Sequence, residues 1–273
     1  MPELPEAETI VRDLRARLPG RTVTRVSVKH ADLLHTGLTA RALDRGLRGR
    51  TITGVSRRGK NVVLELGGTR LIINLGMTGR VVTSDAARAA DLRHVAVRFE
   101  LDDGRAVLYD DARRFGDLDL RDEAGWAERD AELGVEPLSD AFTAERLQAL
   151  TRTSIVPIRN WLLDQRRVAG VGNIYALEAL FRAGVRPTRR AKTLRRRETA
   201  ALRDTLRAVL QESIEARGTT ISDYRDGSGE RGNFDTRLRV YGRDGMPCRE
   251  CGEKIKRIVL TNRSAFYCPN CQQ

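Results

Sequence analysis

Four cysteines, all between positions 248 and 271, constrain this chain more than any other feature. Cys248-x2-Cys251 is followed, sixteen residues on, by Cys268-x2-Cys271. Two such pairs present four thiolates to one tetrahedral ion and leave no coordination position open. The C-terminal segment is therefore expected to be a small module around one structural zinc, with Cys248, Cys251, Cys268 and Cys271 as ligands. Clustered cysteines of this kind bind metal more often than they pair as disulfides in a reducing compartment. The three histidines, His30, His35 and His94, are scattered and offer no second metal site.

The rest of the chain divides by charge. Residues 1–150 carry 24 Lys+Arg and 24 Asp+Glu; residues 151–273 carry 25 and 13, so the whole net charge of +12 lies in the C-terminal half. Such an asymmetry points to a polyanionic partner, most simply nucleic acid. No run of eighteen apolar residues occurs, so no membrane helix is expected. The start of the chain has acids where a signal peptide needs basic and apolar residues. A cytoplasmic location follows as the expectation.

Patterning changes along the chain as well. After an N-terminal helix marked by Ile10, Val11, Leu14 and Leu18, short β-type runs follow: TVTRVSVK, NVVLEL, RLIINL, HVAVRFEL and RAVLYD, separated by turns such as LGGT and LDDG. Many short strands with tight turns predict an antiparallel sandwich or barrel ending near residue 120. Residues 121–140 read as an acidic, polar linker. From about 143 the spacing is helical, and Leu194, Leu202, Leu206, Val209 and Ile214 mark a long amphipathic helix. RDGSGERGN at 225–233 reads as a loop. The predicted class is α+β, with domains at 1–135, 136–235 and 236–273, the last holding the cysteines.

Three further stretches could carry chemistry. GVGNIY at 170–175 is a glycine turn opening onto a helix whose expected cap is Asn173. Free N–H groups at a helix start bind phosphate, although an ordinary helix–helix turn looks the same. DARRFG at 111–116 sets Arg113, Arg114 and Phe115 at a strand end, either as surface and core residues or as a wedge for a duplex. The opening MPELPEAET places Pro2 and Glu3 at or just before a helix start, with Pro5 in its first turn. Removal of Met1 would leave a secondary amine. An α-amine titrates near ~8, so a fraction is neutral and able to attack a sugar C1′ and form a Schiff base. A neighbouring glutamate could move the proton. A mere start residue beside a helix-dipole partner fits the same letters.

These pieces occur together in one family. The strings MPELPEAET, RRGKNVVLEL, LGMTGR, DARRFG, AGVGNIYALEALF, GTTISDY, VYGRDGMPCRECG and RSAFYCPNCQ run nearly the whole chain. In them the sequence resembles the bacterial formamidopyrimidine-DNA glycosylases of the Fpg/Nei family. The resemblance implies an N-terminal helix and β-sandwich, a helix–two-turn–helix domain and a zinc finger, with DNA gripped between. It implies a monomer acting on double-stranded DNA that contains oxidised purines or abasic sites. Base excision would be followed by β,δ-elimination, with no catalytic cofactor. Pro2 would be the nucleophile, Glu3 the proton donor, Lys60 a phosphate contact active in β-elimination, and Arg263 a phosphate contact active in δ-elimination. Asn173 would hold a phosphate; Met77, Arg113 and Phe115 would fill the gap left by the extruded base. Two positions depart from the family pattern: Asn74 stands where histidine is usual and Ser222 where lysine or arginine is common. An endonuclease VIII-like member acting on oxidised pyrimidines and a non-catalytic zinc protein that binds damaged DNA are the competing readings. The first usually opens with glycine after Glu3 and lacks the DARRFG wedge. The second would not need Pro2.

Overall fold

The computed structural model describes residues 2–85, 92–219 and 232–273. Ser222 and most of the 225–233 loop lie outside them. The chain forms two compact units, one of residues 1–132 and 214–235, the other of residues 133–213 and 236–273.

The first unit opens with α1 (Leu4–Arg15), begun by a capping box. Glu3 is the N-cap, its carboxylate accepts the Glu6 N–H, and Glu6 Oε2 accepts the Glu3 N–H at 2.8 Å. Two otherwise orphaned donors are thereby satisfied. Ile10, Val11 and Leu14 turn inward at helical spacing. They pack with two antiparallel four-stranded sheets. One has the order β1 (Val23–Val28), β6 (Val95–Leu101), β7 (Ala106–Asp110) and β5 (Arg80–Thr83). The other runs β2 (Gly54–Arg58), β3 (Asn61–Glu65), β4 (Thr69–Asn74) and β8 (Asp117–Asp122). Inward residues of both sheets, such as Val97, Phe99 and Tyr109 from one and Val62, Leu64 and Ile73 from the other, share one core with α1 and α2 (Ala40–Leu47). The sandwich expected from the short alternating runs is present.

Two details correct the sequence reading. Strands β2, β5 and β8 were not among the runs that marked the sheets; Arg57 and Arg58 of β2 serve ion pairs to Glu8 and Asp130 rather than a core. The predicted linker at 121–140 instead begins with the end of β8 and continues into α3 (Glu123–Ala131), capped by Asp122, which accepts the Gly125 N–H at 2.9 Å. This helix buries none of its residues. Ion pairs of Arg58 to Asp130 and Arg70 to Glu123, with Arg70 over the Trp126 ring, hold it down, so it carries no apolar periodicity.

The second unit contains α4 (Ala144–Thr151), α5 (Ile158–Leu163), α6 (Asn173–Arg182) and most of α7 (Arg196–Glu215). Its C-terminal part is a hairpin of β9 (Lys256–Leu260) and β10 (Arg263–Tyr267). Leu177 and Phe181 of α6 lie in one cluster with Val240, Ile255, Phe266, Cys248 and Cys268, so the cysteine module shares its core with the helix. Glu178, fully buried, accepts the N–H groups of Arg239, Val240 and Tyr241 and anchors the entry to that module. No helix among the described residues is long and apolar enough to cross a membrane.

Candidate active site

Strand register collects the candidate residues of the first unit at one end of one sheet. Asn61 at the start of β3 pairs with Asn74 at the end of β4, and Asn74 pairs with Asp117 at the start of β8. The turn carrying Lys60, the loop carrying Met77 and the loop carrying Arg113 and Phe115 therefore all leave the sheet at this edge. Helix α1 runs along β2, with Arg15 donating to the Val55 carbonyl and Arg57 paired with Glu8. Pro2 and Glu3 lie at the N-terminal end of this helix. Both Pro2 and Glu3 are buried, Glu3 with 2% of its surface exposed. Glu6 fixes this start from a second side: its Oε1 accepts the Thr219 N–H at 2.8 Å.

The two loops are stitched together by Asp111, which is 1% exposed. Its Oδ1 accepts from the Thr78 hydroxyl at 2.5 Å and the Arg113 N–H at 3.3 Å. Its Oδ2 accepts from the Gly116 N–H at 2.9 Å and the Tyr109 hydroxyl at 3.2 Å. Burial, and then the Asp111 charge, push the Tyr109 phenol far above its ordinary range, so it remains a donor. The fit is close: Gly76 has φ of 55°, and a Cβ there would collide with the Phe115 carbonyl. On this rigid bed Met77 and Phe115 project outward, 38% and 58% exposed, with the Arg113 guanidinium 4.9 Å from the Phe115 ring centroid. Large apolar side chains held out on fixed backbone are what an intercalating wedge requires. Arg114, with φ of 55°, pairs with the half-exposed Asp32 at 3.1 Å.

Asn74 is occupied within the fold. Its Nδ2 donates to Asn61 Oδ1 at 2.8 Å and its Oδ1 accepts the Gly76 N–H at 3.0 Å. The side chain thereby ties the start of β3, next to the Lys60 turn, to the Met77 loop. Nothing in the sequence signalled the Asn61–Asn74 pair, because cross-strand partners are visible only once register is known.

In the second unit, Asn173 is not the cap of α6. Gly172 holds that position and Asn173 is the first helical residue. Its Oδ1 accepts from Arg159 at 2.7 and 2.9 Å and its Nδ2 donates to the Ser264 carbonyl at 3.0 Å. The hairpin tip is held similarly, since Arg159 donates to the Leu260 carbonyl and Asn160 to the Thr261 hydroxyl. Thr261 and Asn262 take φ of 46° and 59°, the left-handed pair of a tight hairpin turn. The result sets Asn173 beside Ser264, with the exposed Arg263 next to it. Buried Arg159, which organises both, was not singled out from sequence; one arginine among 44 in the chain gives no signal.

The cysteine sulfurs of residues 248, 251, 268 and 271 all lie within 4.8 Å of one another, with Cys251–Cys268 at 3.5 Å and Cys248–Cys271 at 3.9 Å. Tetrahedral zinc with Zn–S of about 2.3 Å demands sulfur separations of about 3.8 Å. The donor set therefore fits one structural zinc ion. A hydrogen bond from the Asn270 side chain and one from backbone near Glu253 draw the Cys251 thiol down to about 6, while burial pushes Cys268 and Cys271 up. The latter two need the cation's field to ionise. Cys268→Ser, or chelation, is expected to unfold the β9–β10 hairpin while α4–α7 keep their circular dichroism. DNA affinity should fall about 10- to 100-fold, the worth of roughly 1.5–3 kcal/mol for a lost charge-assisted contact. Unchanged affinity in protein verified as zinc-free would contradict this.

A helix-started sandwich with exposed Met77 and Phe115, joined in sequence to a helical unit bearing a four-thiolate module, is the domain order of a family of DNA glycosylases. Residues 1–118 match the formamidopyrimidine-DNA glycosylase N-terminal domain, 133–225 its H2TH domain, and 245–273 the zinc finger found in FPG and IleRS. A formamidopyrimidine-DNA glycosylase of Chloroflexus aggregans is 42% identical over 275 residues, covering 100% of this chain and 98% of the relative. Among solved structures, the MutM (Fpg) protein of Thermus thermophilus superposes with a TM-score of 0.88 at 39% identity, covering 99% of this chain and 98% of that one. A Lactococcus lactis Fpg variant in complex with Fapy-dG-containing DNA gives 0.90 at 33% identity over 100% of both chains. The chain belongs to the formamidopyrimidine-DNA glycosylase family.

Proposed function

We propose that this chain removes oxidised purines, 8-oxoguanine and formamidopyrimidines, from duplex DNA and then cuts the strand at the resulting abasic site by β,δ-elimination. The reading is supported by strand register, from which the turn carrying Lys60 and the loops carrying Met77 and Phe115 leave the sheet at one end, and by the buried helix start at Pro2 and Glu3. After removal of Met1, the Pro2 amine attacks C1′ and the base leaves. Glu3 gives a proton to the opening sugar, and the iminium so formed makes the C2′ proton acidic enough for elimination. Lys60 holds the phosphate at this edge. Met77, Arg113 and Phe115 occupy the gap left by the extruded base, which offsets a flipping cost of a few kcal/mol. Asn173 and Arg263 grip phosphates from the helical and zinc-finger side. Zinc takes no part in the chemistry because four thiolates close its coordination shell. The protein acts as a monomer.

The test is a duplex carrying 8-oxoguanine opposite cytosine. The expected product is a one-nucleotide gap with phosphate at both ends. Cutting confined to oxidised pyrimidines would favour the endonuclease VIII-like alternative, and binding without cutting would favour a non-catalytic damage binder.

A further inference from the structure

Between α6 and the first turn of α7 the chain carries Arg186, Arg189, Arg190, Lys192, Arg195, Arg196 and Arg197 within twelve positions. Two of the seven are structural. Arg186 donates to the Gln272 and Pro269 carbonyls and lies over the Tyr267 ring, and Arg189 grips Glu198 at 2.7 and 3.1 Å. The other five are exposed. Among the described residues their side chains make one ion pair between them, Arg196 to Glu145 at 3.8 Å, with both partners more than two-thirds exposed. The nearest acid in the segment, Glu198, is already spent: Arg189 holds its carboxylate below the ordinary range, and the Arg195 N–H binds its Oε2 at 2.7 Å. Arg196 and Arg197 also stand in the first turn of a 20-residue helix, where the dipole disfavours cations. Apart from the Arg196–Glu145 pair, no ion pair among the described residues offsets this charge.

The segment is also joined directly to the Asn173 cluster. Arg190 pairs with Pro157, and the Ile158 N–H donates to the Arg189 carbonyl at 2.6 Å. Ile158 precedes Arg159, whose guanidinium holds Asn173.

We propose that Arg190, Lys192, Arg195, Arg196 and Arg197 form a second, sequence-independent surface for the DNA phosphate backbone. It would extend the contact along the duplex beyond the lesion and take no part in base excision. Five exposed cations with one long, exposed ion pair among them match a polyphosphate rather than a small anion, since nothing on the segment builds an enclosed pocket. The inference rests on the proposed function only in naming DNA as the polyanion.

The test is the variant with all five residues changed to glutamine. Its thermal midpoint should equal or exceed that of the parent, because the change removes cations from a helix N-terminus. Affinity for an undamaged 40-base-pair duplex is then measured against salt. Each lost phosphate contact flattens the log–log slope by about 0.9, so a change of roughly two to four is expected. The change should be much smaller on a 12-base-pair duplex. Single-turnover excision of 8-oxoguanine at saturating enzyme should stay within about twofold of the parent. An unchanged slope on the long duplex overturns the proposal. So does a loss confined to binding of phosphatidylglycerol vesicles, which would make the surface a membrane contact. Absence of excision by the parent protein would instead defeat the proposed function and leave the slope measurement valid.

Discussion

Glu3→Gln should bind lesion-containing duplex with near-parental affinity and excise the base about 10²- to 10⁴-fold more slowly, the usual worth of a positioned general acid or base. The fold predicts why binding survives. Glu3 is the N-cap of α1, and its side chain accepts the Glu6 N–H while its own N–H is held by Glu6 Oε2 at 2.8 Å. A glutamine oxygen can still accept that N–H, so the capping box and the helix start persist. What glutamine lacks is a transferable proton at the same place. Single-turnover kinetics on 8-oxoguanine DNA, with binding measured separately by anisotropy, separate the two. Excision at the parental rate would remove Glu3 from the chemistry, and loss of binding would make its role structural.

Asp111→Asn should loosen the two loops although it preserves shape, and Asp111→Ala should loosen them further. Each carboxylate oxygen accepts one backbone N–H, from Arg113 on Oδ1 and from Gly116 on Oδ2. In either orientation an amide would turn its own N–H₂ against a backbone N–H. The hydroxyl facing the new N–H₂ can turn to accept from it, and the Arg113 N–H keeps Thr78 Oγ1 at 3.1 Å, so the donor most exposed to loss is the Gly116 N–H. Leaving one backbone donor unpaired costs about 1–3 kcal/mol, so a loss of about 1–2 kcal/mol in stability is expected, read by denaturant titration. Excision from duplex should fall more than tenfold because the bed under Met77 and Phe115 loosens. Phe115→Ala provides the contrast: its ring is 58% exposed, so excision should fall without loss of stability. If Asp111→Asn retained both stability and excision, the two loops would not depend on this carboxylate.

The sequence made some parts of this site legible and hid others for identifiable reasons. The cysteine spacing, the short β-type runs of β1, β3, β4, β6 and β7 and the helical period of α7 are local patterns, and each reappears as an element. Strand β2 was hidden because its arginines work in ion pairs, and α3 because it buries nothing. Met77, Phe115 and Lys60 could be named from strings that resemble a family. Their meeting at one sheet edge depends on the register of Asn61, Asn74 and Asp117, which no single string encodes. Asn173 illustrates the converse: a residue read as a helix cap proves to be bound sideways to Arg159 and Ser264. Asp111 and Arg159, the two side chains that organise the wedge and the hairpin tip, are a common residue type each and stand out only through burial and the number of donors or acceptors they meet.

The central claim is that the Pro2 amine carries the covalent step, and borohydride trapping tests it most directly. Protein incubated with 8-oxoguanine duplex and borohydride should yield a reduced one-to-one protein–DNA adduct. Digestion and mass spectrometry should place the link on a peptide that begins at Pro2, with Met1 gone. Trapping through Lys60 or another lysine, or strand cutting with no trapped species, would contradict the account.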